Sequence, residues 1–236
     1  MDLFLIRHGE SANNVLTDVS KRVADPNLTD LGREQAEHLS VYLAAGRHLY
    51  PHERSSGRPL DRLYTSAMIR SLQTSAPTSA RLELPADIWI DVHETGGLFL
   101  TDLETGIAAG RIGVTPAELE QQLPGAKFTE GAISDAGWWS QGKETPAAGL
   151  GRAIAVVEQL RALASSVHVD ERVGIVSHGD FLSALLKALL GGLPVPSARY
   201  QLANTGISRF GLNSEGTVVH YVNRVEHLDD ARWVNH

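Results

Sequence analysis

The chain has 236 residues, 42% of them apolar, which is ample for a buried core and short for two full domains. With 28 acidic against 21 basic side chains, the formal net charge is −7. That balance disfavours a nucleic-acid backbone or an anionic membrane as the main partner, but leaves room for a local basic pocket that takes a small anion. There is no cysteine, which removes disulfide scaffolds, thiol nucleophiles, iron–sulfur clusters and cysteine zinc sites. The N-terminus is apolar for only four residues before Arg7, too few for a signal peptide, and no run approaches the ~20 apolar residues of a membrane span. The expectation is a cytoplasmic globular protein.

In chain order, Leu3 to Ile6 is a short apolar run of the kind a buried strand shows. From Asp30 to Ala45, Leu31, Ala36, Leu39 and Leu43 fall near one helical face, with Thr29 as N-cap. Leu60 to Tyr64 reads as a second strand. A helix is expected from near Ser66 through Leu72, with Pro77 ending or kinking it. Ile88 to Val92 is a third strand candidate.

Residues 95–143 break this rhythm. They are rich in glycine, hold adjacent Trp138 and Trp139, and contain a capping box at Thr115-Pro116-Ala117-Glu118. They are read as an insertion over one sheet edge and over the site. Further on, Thr145-Pro146 opens a helix, Val173 to Val176 is a buried strand, and Leu182, Leu185, Leu186, Leu189 and Leu190 mark a helix stopped by Gly191-Gly192. Ile207 to Leu212 and Thr217 to Val222 form a final hairpin around Asn213-Ser214-Glu215-Gly216. Alternating strands and helices argue for a three-layer α/β/α fold on a mostly parallel sheet.

In such sheets ligands bind beyond the carboxyl ends of the strands. Those ends carry Arg7-His8-Gly9-Glu10-Ser11, then Thr65-Ser66 with Arg70 a turn later, then His93-Glu94, then Ser177-His178-Gly179-Asp180. Two arginines match phosphate oxygens. Two imidazoles beside permanent cations have lowered pKa values, and a neutral His is a nucleophile. A carboxylic acid at the rim protonates a leaving oxygen and then activates water. Each element alone has a plain structural reading, as a salt bridge, a loop acid or a satisfied core histidine. Their combination at four strand ends points to one site.

Leu5-Ile6-Arg7-His8-Gly9-Glu10-Ser11 resembles the signature of the histidine phosphatase superfamily, with its phosphoglycerate mutase-like fold. Leu28-Thr29-Asp30-Leu31-Gly32 with Gln35-Ala36, Tyr64-Thr65-Ser66 with Arg70, Gln73 and Thr74, Ser177-His178-Gly179 and Asn204-Thr205-Gly206 extend the resemblance along most of the chain. It implies His8 as the nucleophile that becomes phosphohistidine, Arg7, Arg70, His178 and Asn14 as phosphoryl contacts, and Glu94 as proton donor. Thr205 is expected to meet the site through its backbone, and His93 to be a structural or rim residue. The chain departs from the family pattern at Ser71, where alanine is usual, and at Pro77, neither expected to touch the chemistry. Thr95-Gly96-Gly97 after the acid favours the phosphatase branch over a mutase.

The expected activity is hydrolysis of a small phosphorylated substrate with no cofactor and no metal, because two Arg and two His already neutralise the phosphoryl charge. A mutase or a non-catalytic phosphate-binding protein is the alternative. Ser177 lacks the Gly-x-Ser-x-Gly context of a nucleophile elbow, and the histidines of the 47–58 loop lack the fixed helical or hairpin arrangement of zinc ligands. Trp138 and Trp139 either wall the pocket or pin the insertion. Arg111 and Lys127 either meet a second anionic group on the substrate or lie in solvent, and residues 47–58 are read as a mobile loop. The tail at His227-Leu228-Asp229-Asp230 is either a homodimer interface or a loose end.

Overall fold

A computed structural model describes residues 1–167, 170–192, 198–213 and 216–228. The chain forms β1 (Asp2–Arg7), α1 (Asp30–Ala44), β2 (Arg62–Thr65), α2 (Ile69–Leu82), β3 (Ala86–Ile88), β4 (Phe99–Thr101), β5 (Ala108–Gly110), α3 (Pro116–Gln122), α4 (Pro146–Ser166), β6 (Arg172–Ser177), α5 (Gly179–Leu189), β7 (Ile207–Asn213) and β8 (Gly216–Arg224). Six strands make one sheet in the order β3-β2-β6-β1-β7-β8. β3, β2, β6 and β1 run parallel, and β7 and β8 close the other edge antiparallel.

The period of two along each strand sorts the core into two layers. Phe4, Ile6, Leu63 and Val176 face α1, α2 and the insertion. Leu3, Leu5, Val173 and Ile175 face α4 and α5. Each fully buried Leu, Ile or Phe stabilises the fold by roughly 1.5–3 kcal/mol. α1 and α4 begin at the expected caps, where the Thr29 and Thr145 hydroxyls accept from the amides of Gly32 and Ala148. The Thr115–Glu118 capping box also forms. Gly191, at φ +74°, ends α5 as the sequence indicates.

Three boundaries differ from the sequence reading. α2 starts at Ile69 and continues through Pro77 to Leu82, so that proline does not end it. Only Ile88 of the third strand candidate is strand. The chain leaves the ladder there because Ile90–Val92 coils into a 3₁₀ turn that His93 caps. Residues 47–58 are anchored rather than mobile. Arg172 donates to the carbonyls of Ser56 and Arg58 at 2.7 and 2.6 Å, Arg209 grips Glu53 at 2.7 Å, and buried His48 bonds Pro59 O at 3.0 Å. The tip of the last hairpin, Ser214 and Glu215, and the tail from Asp229 lie outside the described residues.

The insertion covers an edge as expected. Lys127 N donates to Ala86 O and Lys127 O accepts from Ile88 N, so one residue blocks the free side of β3. Trp138 and Trp139 are buried against His93 and fill the spaces over Gly113 and Gly97, where a Cβ would meet the rings at 1.9 and 2.0 Å. They pin the insertion to the body, and neither lines the cavity at the strand ends.

Candidate active site

The register of the parallel strands assembles the site. Arg7 pairs with Ser177, and Thr65 lies beside both Val176 and Ile88. The next residues of each strand therefore leave the sheet side by side. His8 N donates to Ser177 O at 2.9 Å and Ser66 N to Val176 O at 3.1 Å. Gly9 is needed because α1 packs against this turn: a Cβ on Gly9 would lie 2.6 Å from Gly32 O, and one on Gly32 would lie 2.0 Å from Glu10 O. The glycine after the first histidine thus serves helix packing rather than ligand approach.

His8 is buried, and its Nδ1 lies 2.6 Å from Gly9 O, a group that can only accept. The proton therefore sits on Nδ1. Nε2 keeps its lone pair, toward which Arg70 Nε donates at 3.1 Å. Burial, then Arg70 and Arg7, hold the His8 pKa well below the ordinary histidine value. Arg70 is tethered by Asp25, whose carboxylate lies 3.7 Å from Nη1 and accepts from Ile69 N at 3.1 Å. Burial raises Asp25 to about 6, against the pull of Arg70.

His178 sits beneath His8, ring centroids 5.1 Å apart. Its Nε2 lies 2.9 Å from Ser66 Oγ and 3.2 Å from Ser71 Oγ. Ser71, expected to stand clear of the chemistry, thus touches the second histidine, because α2 presents it and Arg70 together at the strand ends. Arg7 donates to Leu202 O at 2.5 Å. The Asn204-Thr205-Gly206 turn clamps the end of β1: Asn204 Nδ2 donates to His8 O at 2.9 Å, and Thr205 N to Arg7 O at 3.0 Å. Thr205, at φ +56°, is fully buried and does not line the cavity, so the expected backbone contact with a ligand is replaced by a backbone clamp behind His8.

Glu94 reaches the site from the far side. Its Oε1 accepts from Thr95 N at 2.8 Å and from Phe181 N, at the start of α5, at 2.9 Å. Burial and then the nearby Asp180 raise its pKa, while Arg70 and the two amides oppose. The turn before it is held by Arg152, which donates to Asp91 O and His93 O at 2.7 and 2.9 Å and clasps Glu144 with both ends of its guanidinium. His93 is structural: buried between the tryptophans, its Nδ1 donates to Ile90 O at 2.7 Å.

Arg7, His8, Asn14, Arg70 and Glu94 line a cavity of about 360 Å³. Ser11 N and Oγ both donate to Asn14 Oδ1, which leaves the Asn14 Nδ2 amide as the donor for a ligand. A larger recess of about 590 Å³ lies at the opposite strand ends, but Arg209 there is matched to Asp2 and Glu53, and Arg172 to backbone carbonyls. Ser177 is no nucleophile, as its hydroxyl donates to Val92 O at 2.7 Å inside the core. No group of three or more potential metal ligands occurs among the described residues. Nor is any helix there long and apolar enough to cross a membrane.

The sequence reading missed Asp25, Arg22, Lys143 and Arg199, all near the cavity. They lie in loops with no periodicity to mark them. Arg111 and Lys127, its candidates for a second anion site, stand elsewhere: Arg111 donates to its neighbour Gly110 O, and Lys127 sits on the β3 edge.

The fold and this constellation define an α/β protein of the phosphoglycerate mutase-like type, with paired histidines and arginines at the strand ends. A family model for the histidine phosphatase superfamily (branch 1) matches residues 3–225, and the chain belongs to that superfamily. Similar solved structures include the alpha-ribazole phosphatase of Shigella flexneri, 20% identical, with a TM-score of 0.60 over 95% of this chain and 96% of that one. The phosphoserine phosphatase of Entamoeba histolytica is 21% identical, with a TM-score of 0.59 over 96% and 98%. A mycobacterial glucosyl-3-phosphoglycerate phosphatase is also 21% identical, with a TM-score of 0.59 over 95% and 99%. At these identities the likeness shows the fold. Comparison with curated protein sequences finds no match.

Proposed function

We propose that this protein hydrolyses small phosphomonoesters through a phosphohistidine on His8. The observation that carries the reading is the His8 tautomer: Nδ1 is held by Gly9 O, and Nε2 presents a lone pair beside Arg70 in a cationic cavity. Nε2 attacks phosphorus while the bond to the leaving oxygen breaks, and the Glu94 carboxyl gives its proton to that oxygen. The Glu94 carboxylate then takes a proton from water, whose oxygen attacks the phosphohistidine. Inorganic phosphate leaves and His8 Nε2 is free again. Arg7, Arg70 and the Asn14 amide hold the phosphoryl oxygens. His178, expected among these contacts, lies outside the cavity lining with its Nε2 on Ser66 and Ser71 and backs His8 instead, and Thr205 fixes the backbone that carries His8. Two arginines supply the positive charge that the transition state needs, so turnover is expected in the presence of chelator.

The family match over residues 3–225 supports one domain with 95–143 as its cap, and several structural neighbours are named as phosphatases. The test is hydrolysis of p-nitrophenyl phosphate with chelator, wild type beside His8→Ala. Turnover in the wild type and none in the variant is the expected result. Equal rates in both would remove His8 from its role. No hydrolysis, with a bisphosphate requirement for phosphoryl exchange, would make the protein a mutase.

A further inference from the structure

The cavity carries more positive charge than one phosphoryl group needs. Arg7 and Arg70 lie at its base beside His8. Arg22 and Lys143 lie on its wall, brought from loops 121 residues apart in sequence. Both stand over the same aromatic ring: Lys143 Nζ is 4.5 Å and the Arg22 guanidinium 6.0 Å from the centroid of Phe99. The ring leaves their N–H donors unsatisfied, because it attracts a cation without accepting conventional hydrogen bonds.

Neither cation has a carboxylate partner among the described residues, and the acids nearby are already engaged. Asp180 pairs with Arg199 at 3.0 Å. Glu144, next to Lys143, holds Arg152 and Gly96 N. Asp25 holds Arg70 and Ile69 N, and Glu94 takes the amides of Thr95 and Phe181. Two cations with free donors on the wall of a pocket, in a chain of net charge −7, are a local reversal of sign that favours a second anion.

We infer that Arg22 and Lys143 form a second oxyanion subsite on the Phe99 platform, so that the preferred substrate is a small phosphomonoester bearing a carboxylate or a second phosphate away from the scissile ester. The inference rests on the phosphatase reading for its kinetic test and stands apart from it in binding. The cavity of about 360 Å³ limits the body between the two anionic groups to a few carbons or one sugar ring.

The experiment compares matched pairs: glycerol 1-phosphate against 3-phosphoglycerate, and fructose 6-phosphate against fructose 1,6-bisphosphate. Each is measured as kcat/KM on wild type and on the Arg22→Gln, Lys143→Gln double variant, and as a Kd on His8→Ala by calorimetry. Wild type is expected to favour the doubly anionic member of at least one pair tenfold or more, and the variant to bring that ratio within threefold. Which pair shows the effect separates a carboxylate from a phosphate at the subsite. Equal treatment of both members by wild type, or a preference that survives the double substitution, overturns the inference. If nothing is turned over, the phosphatase reading fails, and the calorimetric ratios still decide the subsite.

Discussion

Arg70 Nε donates to His8 Nε2 at 3.1 Å, while Nδ1 of the same ring is held by Gly9 O at 2.6 Å. One guanidinium therefore meets the nitrogen proposed as the nucleophile and supplies charge beside it. Lysine has no planar fork with which to do both. Arg70→Lys is expected to lower kcat by about 10²–10³, the usual effect of losing a donor aimed at the transferring group. Arg70→Gln, which removes the charge altogether, is expected to bring the His8 pKa up toward the ordinary histidine value, because the Arg70 charge as well as burial holds it down. An unmoved His8 titration by NMR would separate Arg70 from the nucleophile.

The pH profile follows from two opposite shifts. His8 is held well below its ordinary value, so it is neutral throughout the mildly acidic and neutral range. Glu94 is raised, so it stays protonated above the usual carboxylate range and loses its proton as pH climbs. Corrected for ionisation of the phosphate ester near ~6, kcat/KM should fall with rising pH as Glu94 titrates. Glu94→Gln should be slow and lack that fall. A rate that rises steadily from pH 6 to 9 would rule Glu94 out as the acid.

Asp25 trades stability for placement of Arg70. Its folded pKa of about 6 lies above the unfolded value of 3.8, so the charged form is penalised at pH 7 and the penalty lifts as pH falls through 6. Asp25→Asn keeps an acceptor for Ile69 N and removes the charge that tethers Arg70. It should keep or raise Tm at pH 7 while kcat falls about tenfold, in the manner of other strained functional sites. A drop in Tm with unchanged kcat would reverse that assignment.

Buried neutral histidines make the fold acid-sensitive. His48, His93 and His227 are each lowered by burial from 6.5 to about 4. The unfolded chain therefore takes up protons between pH 6.5 and 4 that the folded chain refuses, and stability falls with pH across that window. For His48 the loss is on the order of 3 kcal/mol, opposed by a similar gain at Asp25. Urea midpoints at pH 7 and 4.5 should differ less in His48→Gln than in wild type. An equal pH response in both proteins would remove His48 from this role.

Arg152 carries the turn that presents Glu94. Arg152→Met leaves Glu144 largely buried without its cation and frees the carbonyls of Asp91 and His93. A stability loss of about 3 kcal/mol is expected, with a fall in kcat that stabilising additives do not restore. Full activity in the folded variant would show that Glu94 is held by the amides of Thr95 and Phe181 alone.

By itself the sequence determined the order of the main-sheet strands and of the helices, though not the β4–β5 pair, and the residues at each parallel strand end. An apolar run has one use inside a sheet, and the period of two and the Thr-Pro and Gly-Gly boundaries are local signals. Because a parallel sheet aligns its carboxyl ends, Arg7, His8, Arg70, Glu94 and His178 could be grouped without coordinates. Tertiary structure alone decided the rest. Whether Ile90 is strand or 3₁₀ turn depends on where β2 ends beside it, and Pro77 is tolerated because α2 is held by packing on both sides of it. Asp25 comes to Arg70, and Arg22 and Lys143 to the ring of Phe99, through loops whose paths no periodicity encodes, and α2 carries Ser71 to His178. Charge on a loop acquires a role only when the fold fixes its distance from another charge, and that distance is a property of the whole chain.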